Sequence, residues 1–340
     1  MRKTDEIPYC AREMIAYIEE RLLSSEYSSG TRLPSIRRFA GKFNISYGSA
    51  ARGIEYLCSR GLLEKKAKSG IFVRQSIEHP VEKGAARIVF FAHTNFKTES
   101  NIHSMCYTTL LSIQKRCLEL GHALSIIPLP YTDKEETLGI IRKYSADADG
   151  IILFHEYDAY LDEYPITKPT VGIMMSNSFS GTISTVNMDP YLSAEQAVEY
   201  FKRHGCGKVK VFYFDWPIYR ERAMLFQTVA RYNGIECRLS QENGRIRFDH
   251  SSGYYFTSDQ VLDRYSKKFM KAKGKPLAEV YTVLGTDGKC EMDPDFHRFP
   301  TIAADWREVG RSAVDECLKR INNPGISPQR IYLPGRLKEY

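Results

Sequence analysis

The stretch from Gly30 to Val73, GTRLPSIRRFAGKFNISYGSAARGIEYLCSRGLLEKKAKSGIFV, constrains this chain more than any other. An extended Leu33-Pro34 runs into Ser35, whose hydroxyl can accept the orphan amides of a helix through Ile36, Phe39, Ala40 and Phe43. Asn44 stops that helix. After a tight turn, Ser46 caps a second helix with Ala50, Ile54 and Leu57 at spacings of four and three, and Gly61 supplies its left-handed stop. Leu62 to Lys66 and Ile71 to Arg74 flank the turn Ala67-Lys68-Ser69-Gly70 and read as a two-stranded wing. Residues 8–25 precede this as an amphipathic helix whose buried stripe is Met14, Ile15, Ile18 and Leu22.

Charge separates this segment from the rest. Residues 1–76 hold fourteen Lys or Arg against eight Asp or Glu, so most of the net +7 lies in less than a quarter of the 340 residues. A localised cationic excess is what counterion release from a polyphosphate requires. The order G-x-x-L-P-S, helix, turn, helix, G-x-F-V resembles the winged helix-turn-helix of the GntR family of bacterial transcription regulators. The resemblance implies double-stranded operator DNA as partner, the second helix in the major groove and the wing on phosphates or the minor groove. Carried over position by position, the contacts fall on Ser35, Arg37, Ser46, Tyr47, Gly48, Ser49, Arg52, Lys66, Lys68 and Gly70. The chain departs from the family pattern at Ile36 and Arg38, where acids are common. The capping box is thereby lost and Arg38 joins the candidate DNA contacts. Tyr47 and Ala51 stand where Arg is common, so base readout rests on hydroxyls and one aromatic more than on a bidentate Arg.

Past the wing, periodicity is lost from Gln75 to Ala85, and we place a linker at residues 77–86 between a winged head, 1–76, and a second domain, 87–340. From Arg87 short apolar strands alternate with amphipathic helices: strands at Ile88–Ala92, Ala123–Pro128, Asp149–Phe154 and Thr170–Met174, helices at Met105–Leu120 and Leu138–Ser145. A second run begins near Pro190, with helices at Ser193–His204, Arg220–Asn233 and from Ser258, and strands at Lys208–Phe214, Gly253–Thr257 and Val280–Leu284. Successive β-α-β units give parallel sheets covered by helices, here in two lobes. The fold class is therefore an α+β winged head followed by an α/β domain of two Rossmann-like lobes. With 43% apolar and 26% charged residues, no leader-like apolar segment and no membrane span, the chain reads as a cytoplasmic globular protein. The eight cysteines, lacking any C-x-x-C pair, read as reduced and mostly buried; no metal or cofactor is expected.

Residues 87–340 resemble the sugar-binding domain of LacI and GalR regulators, related to periplasmic sugar-binding proteins. The matches, in order, are A-D-G-I-I-L at 148–153, V-N-M-D at 186–189, R-E-R-A-M-L-F at 220–226, F-T-S-D-Q-V-L at 256–262, L-G-T-D at 284–287 and the tail from Arg298 to Arg311. The resemblance implies lobe 1 at about 87–185 plus 305–325, lobe 2 at about 190–300, and a ligand between them. Family ligand positions carry over to Arg222, Asp287, Ser258 and Trp306: a donor fork, an acceptor, a polar cap and a flat aromatic suit a polyol. Arg222 could instead be a salt-bridging side chain, Asp287 a turn former and Trp306 simple core. His93, Asn95, Phe96, His155 and Trp216 are added because open α/β sheets bind ligands beyond strand carboxyl ends. Residues 239–255 leave too little length for the helix usual there.

The expectation is a homodimeric regulator, a repressor of carbohydrate uptake or catabolism genes, with a monosaccharide or sugar phosphate as small-molecule effector. A DNA-binding dimer with a different effector or a non-functional cleft is the alternative. An enzyme is disfavoured, since G-x-S-x-G, H-E-x-x-H and P-loop motifs are absent.

Overall fold

The computed structural model describes residues 11–23, 27, 30–59, 62–66, 69–73, 84–93, 105–129, 134–154, 167–176, 183–241, 246–292 and 296–340. The chain divides into two compact units, Met1–Glu82 and Lys83–Tyr340. Gly61, Lys68 and residues 77–83 of the expected linker lie outside the described residues.

In the first unit, α1 (Arg12–Leu23) packs on α2 (Ile36–Lys42) and α3 (Tyr47–Ser59), followed by the antiparallel pair β1 (Leu63–Lys66) and β2 (Gly70–Val73). Met14, Ile15 and Ile18 of α1 bury against Phe39, Ala50, Ile54 and Leu57, the apolar positions that the spacing picked out. Ser35 caps α2, its hydroxyl accepting from the Arg38 amide at 3.3 Å, and Asn44 adopts φ +49 just past the helix. One pairing was not foreseen. Gly30–Leu33 runs antiparallel to β2, the Leu33 amide donating to the Ile71 carbonyl at 2.8 Å and the Val73 amide to the Thr31 carbonyl at 2.8 Å. The wing thereby gains a third strand.

The second unit holds two six-stranded sheets. The first is built from β3 (Arg87–His93), β4 (Ala123–Leu129), β5 (Gly150–Phe154), β6 (Thr170–Ile173), β7 (Ser184–Met188) and β13 (Arg330–Leu333) in the order β13-β7-β6-β5-β3-β4, all parallel. The second is built from β8 (Lys208–Tyr213), β9 (Glu236–Gln241), β10 (Gly253–Phe256), β11 (Val283–Asp287), β12 (Thr301–Ala303) and β14 (Arg336–Lys338) in the order β14-β12-β11-β10-β8-β9. Only β14 runs antiparallel to its neighbour. Chain order within each sheet is the same, so the lobes repeat one another. Central strands such as β5, β6, β10 and β11 are buried at every residue, as helices on both faces demand. Those helices are α4 (Met105–Glu119), α5 (Lys134–Ser145) and α11 (Trp306–Asn322) on lobe 1, and α6 (Pro190–Arg203), α7 (Pro217–Tyr232) and α8 (Asp259–Lys273) on lobe 2. No described helix is long and apolar enough to cross a membrane.

The chain passes between lobes three times. The first two passages each end in an aspartate cap: Asp189 Oδ1 accepts from the Tyr191 and Leu192 amides, and Asp305 Oδ1 from those of Arg307 and Glu308. The third, from β13 to β14, lies beyond the expected end of lobe 1 at 325. It turns at Pro334-Gly335, where a Cβ on Gly335 would lie 2.7 Å from Met188 Sδ and 2.8 Å from Ile302 Cγ2. Two further differences concern lobe 2. The strand expected from Val280 begins at Val283, because residues after Pro276 close a helical turn, α9 (Leu277–Val280), first. Between β9 and β10 the described residues 246–252 carry no helix; instead Phe248 packs 4.7 Å from Tyr254 and stacks 5.3 Å from Tyr281.

Gly335→Ala should destabilise the second unit by about 1–3 kcal/mol, because the new methyl has nowhere to go between Met188 and Ile302. Gly139→Ala, in α5 with open space at its Cβ, should stabilise by about 0.4–1 kcal/mol. Urea unfolding of the full chain, followed by circular dichroism, distinguishes the two signs.

Candidate functional site

Two constellations carry functional side chains, one in each unit. On the head, the two helices present what their caps fix. Ser46 Oγ accepts from the Ser49 amide at 3.0 Å and shares a 2.9 Å hydrogen bond with Ser49 Oγ, which starts α3. Ser49, expected among the DNA contacts, is a correction: it is 6% exposed and its hydroxyl is engaged by Ser46. It falls on the buried face because it lies one and two turns before Gly53 and Leu57. Tyr47 is 57% exposed, and Arg37, Arg38, Gly48 and Arg52 are exposed with it. A groove joins these helices to the wing, lined by Arg32, Ser35, Ile36, Arg37, Tyr47 and Gly70 among others. Lys66 is exposed on the wing, paired with Glu64 at 2.9 Å. The groove thus gathers four of the expected positions and adds Arg32, which the sequence reading passed over.

The second constellation lies at the carboxyl ends of the lobe 2 strands. Arg222, on α7, donates from Nη1 to Asp287 Oδ1 at 2.8 Å and to the Thr257 carbonyl at 3.1 Å. Both members of this ion pair are out of solvent, Arg222 at 7% and Asp287 at 0% exposure. Burial alone would push the guanidinium's pKa down; Asp287, together with Tyr219 and Tyr255, more than offsets it, so the group is held above its ordinary value. Asp287 ends β11 at φ +108, a conformation that side chains other than glycine rarely adopt. Trp306, first residue of α11, donates from Nε1 to the Asp287 carbonyl at 2.8 Å, so a lobe 1 helix grips the lobe 2 acid directly. Asp287 Oδ2 is buried without a hydrogen-bond partner among the described residues. A buried acceptor so placed invites a donor such as a ligand hydroxyl.

A second carboxylate, Asp259, supports the turn that follows. Its Oδ2 accepts from the Lys289 amide at 2.7 Å, and the Thr301 hydroxyl lies 2.8 and 3.0 Å from its two oxygens. Burial, with Asp287 adding to it, raises its carboxyl to about 8. Directly after that turn comes α10 (Lys289–Met292), where the Thr108 hydroxyl of α4 reaches Met292 Sδ at 3.6 Å.

Of the nine expected ligand residues, Arg222, Asp287 and Trp306 are brought together. Ser258 is buried and its hydroxyl caps α8, accepting from the Gln260 amide at 3.3 Å. Trp216 stands apart at 44% exposure, in an aromatic group with Phe214 and Tyr219. His93 ends β3, opposite Leu129, with its side chain outside the description. Asn95, Phe96 and His155 lie outside the described residues. Sequence reasoning gave no role to Asp259 and missed Thr301; an acid after a capping serine looks like any first-turn acid, and its partner is 42 residues away.

Comparison with known proteins divides along the same boundary. Residues 11–73 match the family model of bacterial regulatory proteins, gntR family. Over 60 residues the chain is 33% identical to YcxD of Bacillus subtilis (strain 168), an uncharacterized HTH-type transcriptional regulator; the match covers 18% of this chain and 14% of that protein. Among solved structures, a periplasmic binding protein/LacI transcriptional regulator from Alkaliphilus metalliredigens QYMF, complexed with D-xylulofuranose, superposes with TM-score 0.56 at 17% identity, covering 75% of this chain and 98% of that one. The Lac repressor bound to ONPG gives 0.58 at 11% identity over 91% and 99% of the two chains. A CelR–cellobiose complex gives 0.58 at 13% over 90% and 98%. Residues 11–73 are thus a gntR-type helix-turn-helix domain, and the second unit has the two-lobed fold of LacI-type and periplasmic binding proteins.

Arg222→Ala should lower stability by about 3–5 kcal/mol, since it strands Asp287 in the interior; Arg222→Met with Asp287→Asn should recover much of the loss, read by thermal melting. For Asp259 the folded carboxyl titrates above its ordinary value, so the native state holds a proton that the unfolded chain has released. Stability should therefore fall as pH rises from about 4 to about 8, and Asp259→Asn should flatten that fall in urea midpoints measured across the range.

Proposed function

We propose that a gntR-type head joined to a LacI-like two-lobed unit makes this chain a ligand-responsive, DNA-binding transcription regulator, acting as a homodimeric repressor of carbohydrate uptake or catabolism genes. What carries the reading is one chain holding both an exposed cationic groove with an aromatic and a buried guanidinium–carboxylate pair with an unpartnered acceptor oxygen. The first suits a duplex: Tyr47, Gly48 and Arg52 face the bases, while Arg37, Arg38, Lys66 and Gly70 hold phosphates. The second suits a polyol, with Arg222 donating and Asp287 accepting. Fold relatives holding D-xylulofuranose or cellobiose support a sugar or sugar phosphate as effector.

A dimer surface is available on lobe 1. Strand β4 lies at a sheet edge, and Ile126 on it, Leu118 and Leu120 beside it and Tyr144 at the end of α5 are exposed. An unpaired edge ringed by apolar side chains is the sort of surface that a second copy covers. Ligand contact at Asp287 biases the rotation of one lobe on the other, and the dimer contact converts that into a change in head separation against half-sites about 34 Å apart. A coupling of about 1–3 kcal/mol suffices for a switch.

The described residues 246–252, which carry no helix between β9 and β10, favour one competing reading, a DNA-binding dimer whose effector unit is only a scaffold. Gel-shift titration with a duplex from the chain's own promoter region, with and without each monosaccharide that raises its melting temperature, separates the readings. The regulator predicts sugars that both shift the melt and change DNA affinity; the scaffold predicts neither. Ile126→Glu should turn a dimer into monomers in sedimentation velocity and weaken duplex binding with it.

A further inference from the structure

We infer that Arg32, which no expectation placed at the interface, is a phosphate-binding residue of the head, seated on the wing by Gly70. The inference rests on the DNA-binding reading above and extends it to a residue of the strand that precedes the helices. Arg32 pairs with Phe72 across the antiparallel bridge that adds Gly30–Leu33 to the wing. Side chains alternate across a strand, so Leu33, which is buried, faces the core and Arg32 faces outward with Phe72. The β1–β2 register sets Lys66 opposite Gly70. Lys66 Nζ lies 5.0 Å from the Phe72 ring centroid, on the same outward face. Two cations therefore flank Gly70.

The glycine is what allows this. Gly70 has φ +116, and a Cβ there would lie 3.2 Å from Arg32 Nε and 3.6 Å from Nη2. The guanidinium therefore lies over the bare Gly70 backbone, and from there it lines the groove opposite Tyr47 and Arg37. Lys66 has a carboxylate partner in Glu64; Arg32 is exposed and has none among the described residues. An exposed planar fork, fixed at its base by sheet hydrogen bonds, is suited to bidentate capture of a phosphate. Phosphate rather than base fits its place, since it belongs to the wing wall of the groove, while Ile36 and Arg37 of α2 and Tyr47 of α3 line the other.

The test uses the full chain and fluorescein-labelled duplexes of about 30 base pairs, one AT-rich and one GC-rich, with affinity measured from about 50 to about 200 mM salt. Arg32→Ala should reduce the slope of log K against log salt by about 0.9 for each head on the duplex, about 1.8 for a dimer bound through both, so that the wild type loses about 12-fold more affinity than the variant over that range, equally on both duplexes. Arg32→Lys should keep the slope, and Arg32→Gln should repeat the alanine result if the alanine variant proves unstable. An unchanged slope and affinity in folded Arg32→Ala, beside a wild type that binds duplex, overturns the assignment while leaving the DNA reading intact. A loss confined to the AT-rich duplex overturns it in favour of minor-groove readout. Failure of the wild type to bind either duplex overturns the DNA reading and this assignment together.

Discussion

The second unit is organised by a contact among its own connections. At Gly335 the third passage between lobes is pressed against Met188, the last residue of β7, and Ile302 of β12. Hydrogen bonds bind the passages further, the Asp189 amide to the Leu333 carbonyl at 2.7 Å and Gln196 Nε2 to the Gly335 carbonyl at 2.9 Å. Three segments in mutual contact resist separation of the lobes more than rotation about the contact, which is the geometry of a hinge. The Arg222–Asp287 pair depends on this placement, because Trp306, just past the second passage, holds the Asp287 carbonyl.

Inside lobe 2 the charge arrangement is economical. Of the buried acids Asp259 and Asp287, only Asp287 is paired with the buried guanidinium of Arg222 among the described residues. Asp259 is left to backbone and hydroxyl donors from Lys289 and Thr301, and burial, with Asp287 adding to it, raises its proton affinity against them. The same acid braces the segment that leads through Lys289 to Met292 and the Thr108 contact on α4. Groups that position Asp287 thus also link it to lobe 1.

How much of this the sequence disclosed follows from the range of each signal. Caps and stops are local, so Ser35, Asn44 and the buried stripe of α1 could be read directly. Fully buried strands such as Gly150–Phe154 announce themselves as apolar runs. By contrast, β13 alternates exposed and half-buried residues and β14 has three residues, so neither resembles a strand without its partner in view. Arg32 was invisible for the same reason: its facing is set by a bridge to Phe72, 40 residues on. Ser49 was legible but overlooked, since its phase with Gly53 and Leu57 already assigned it to the interior. Among the ligand candidates, the family resemblance marked Arg222, Asp287 and Trp306, while their bonding partners came from distant strands.

The bond between Trp306 and Asp287 has an optical consequence. The chain has two tryptophans, and the other, Trp216, is 44% exposed at the N-cap of α7. Indole emission responds to the polarity and hydrogen bonding around its nitrogen, so with Trp216 replaced by Phe the remaining signal would report on a single carbonyl at the junction of the lobes. The molecule carries its own fluorescent gauge of that junction, needing no dye.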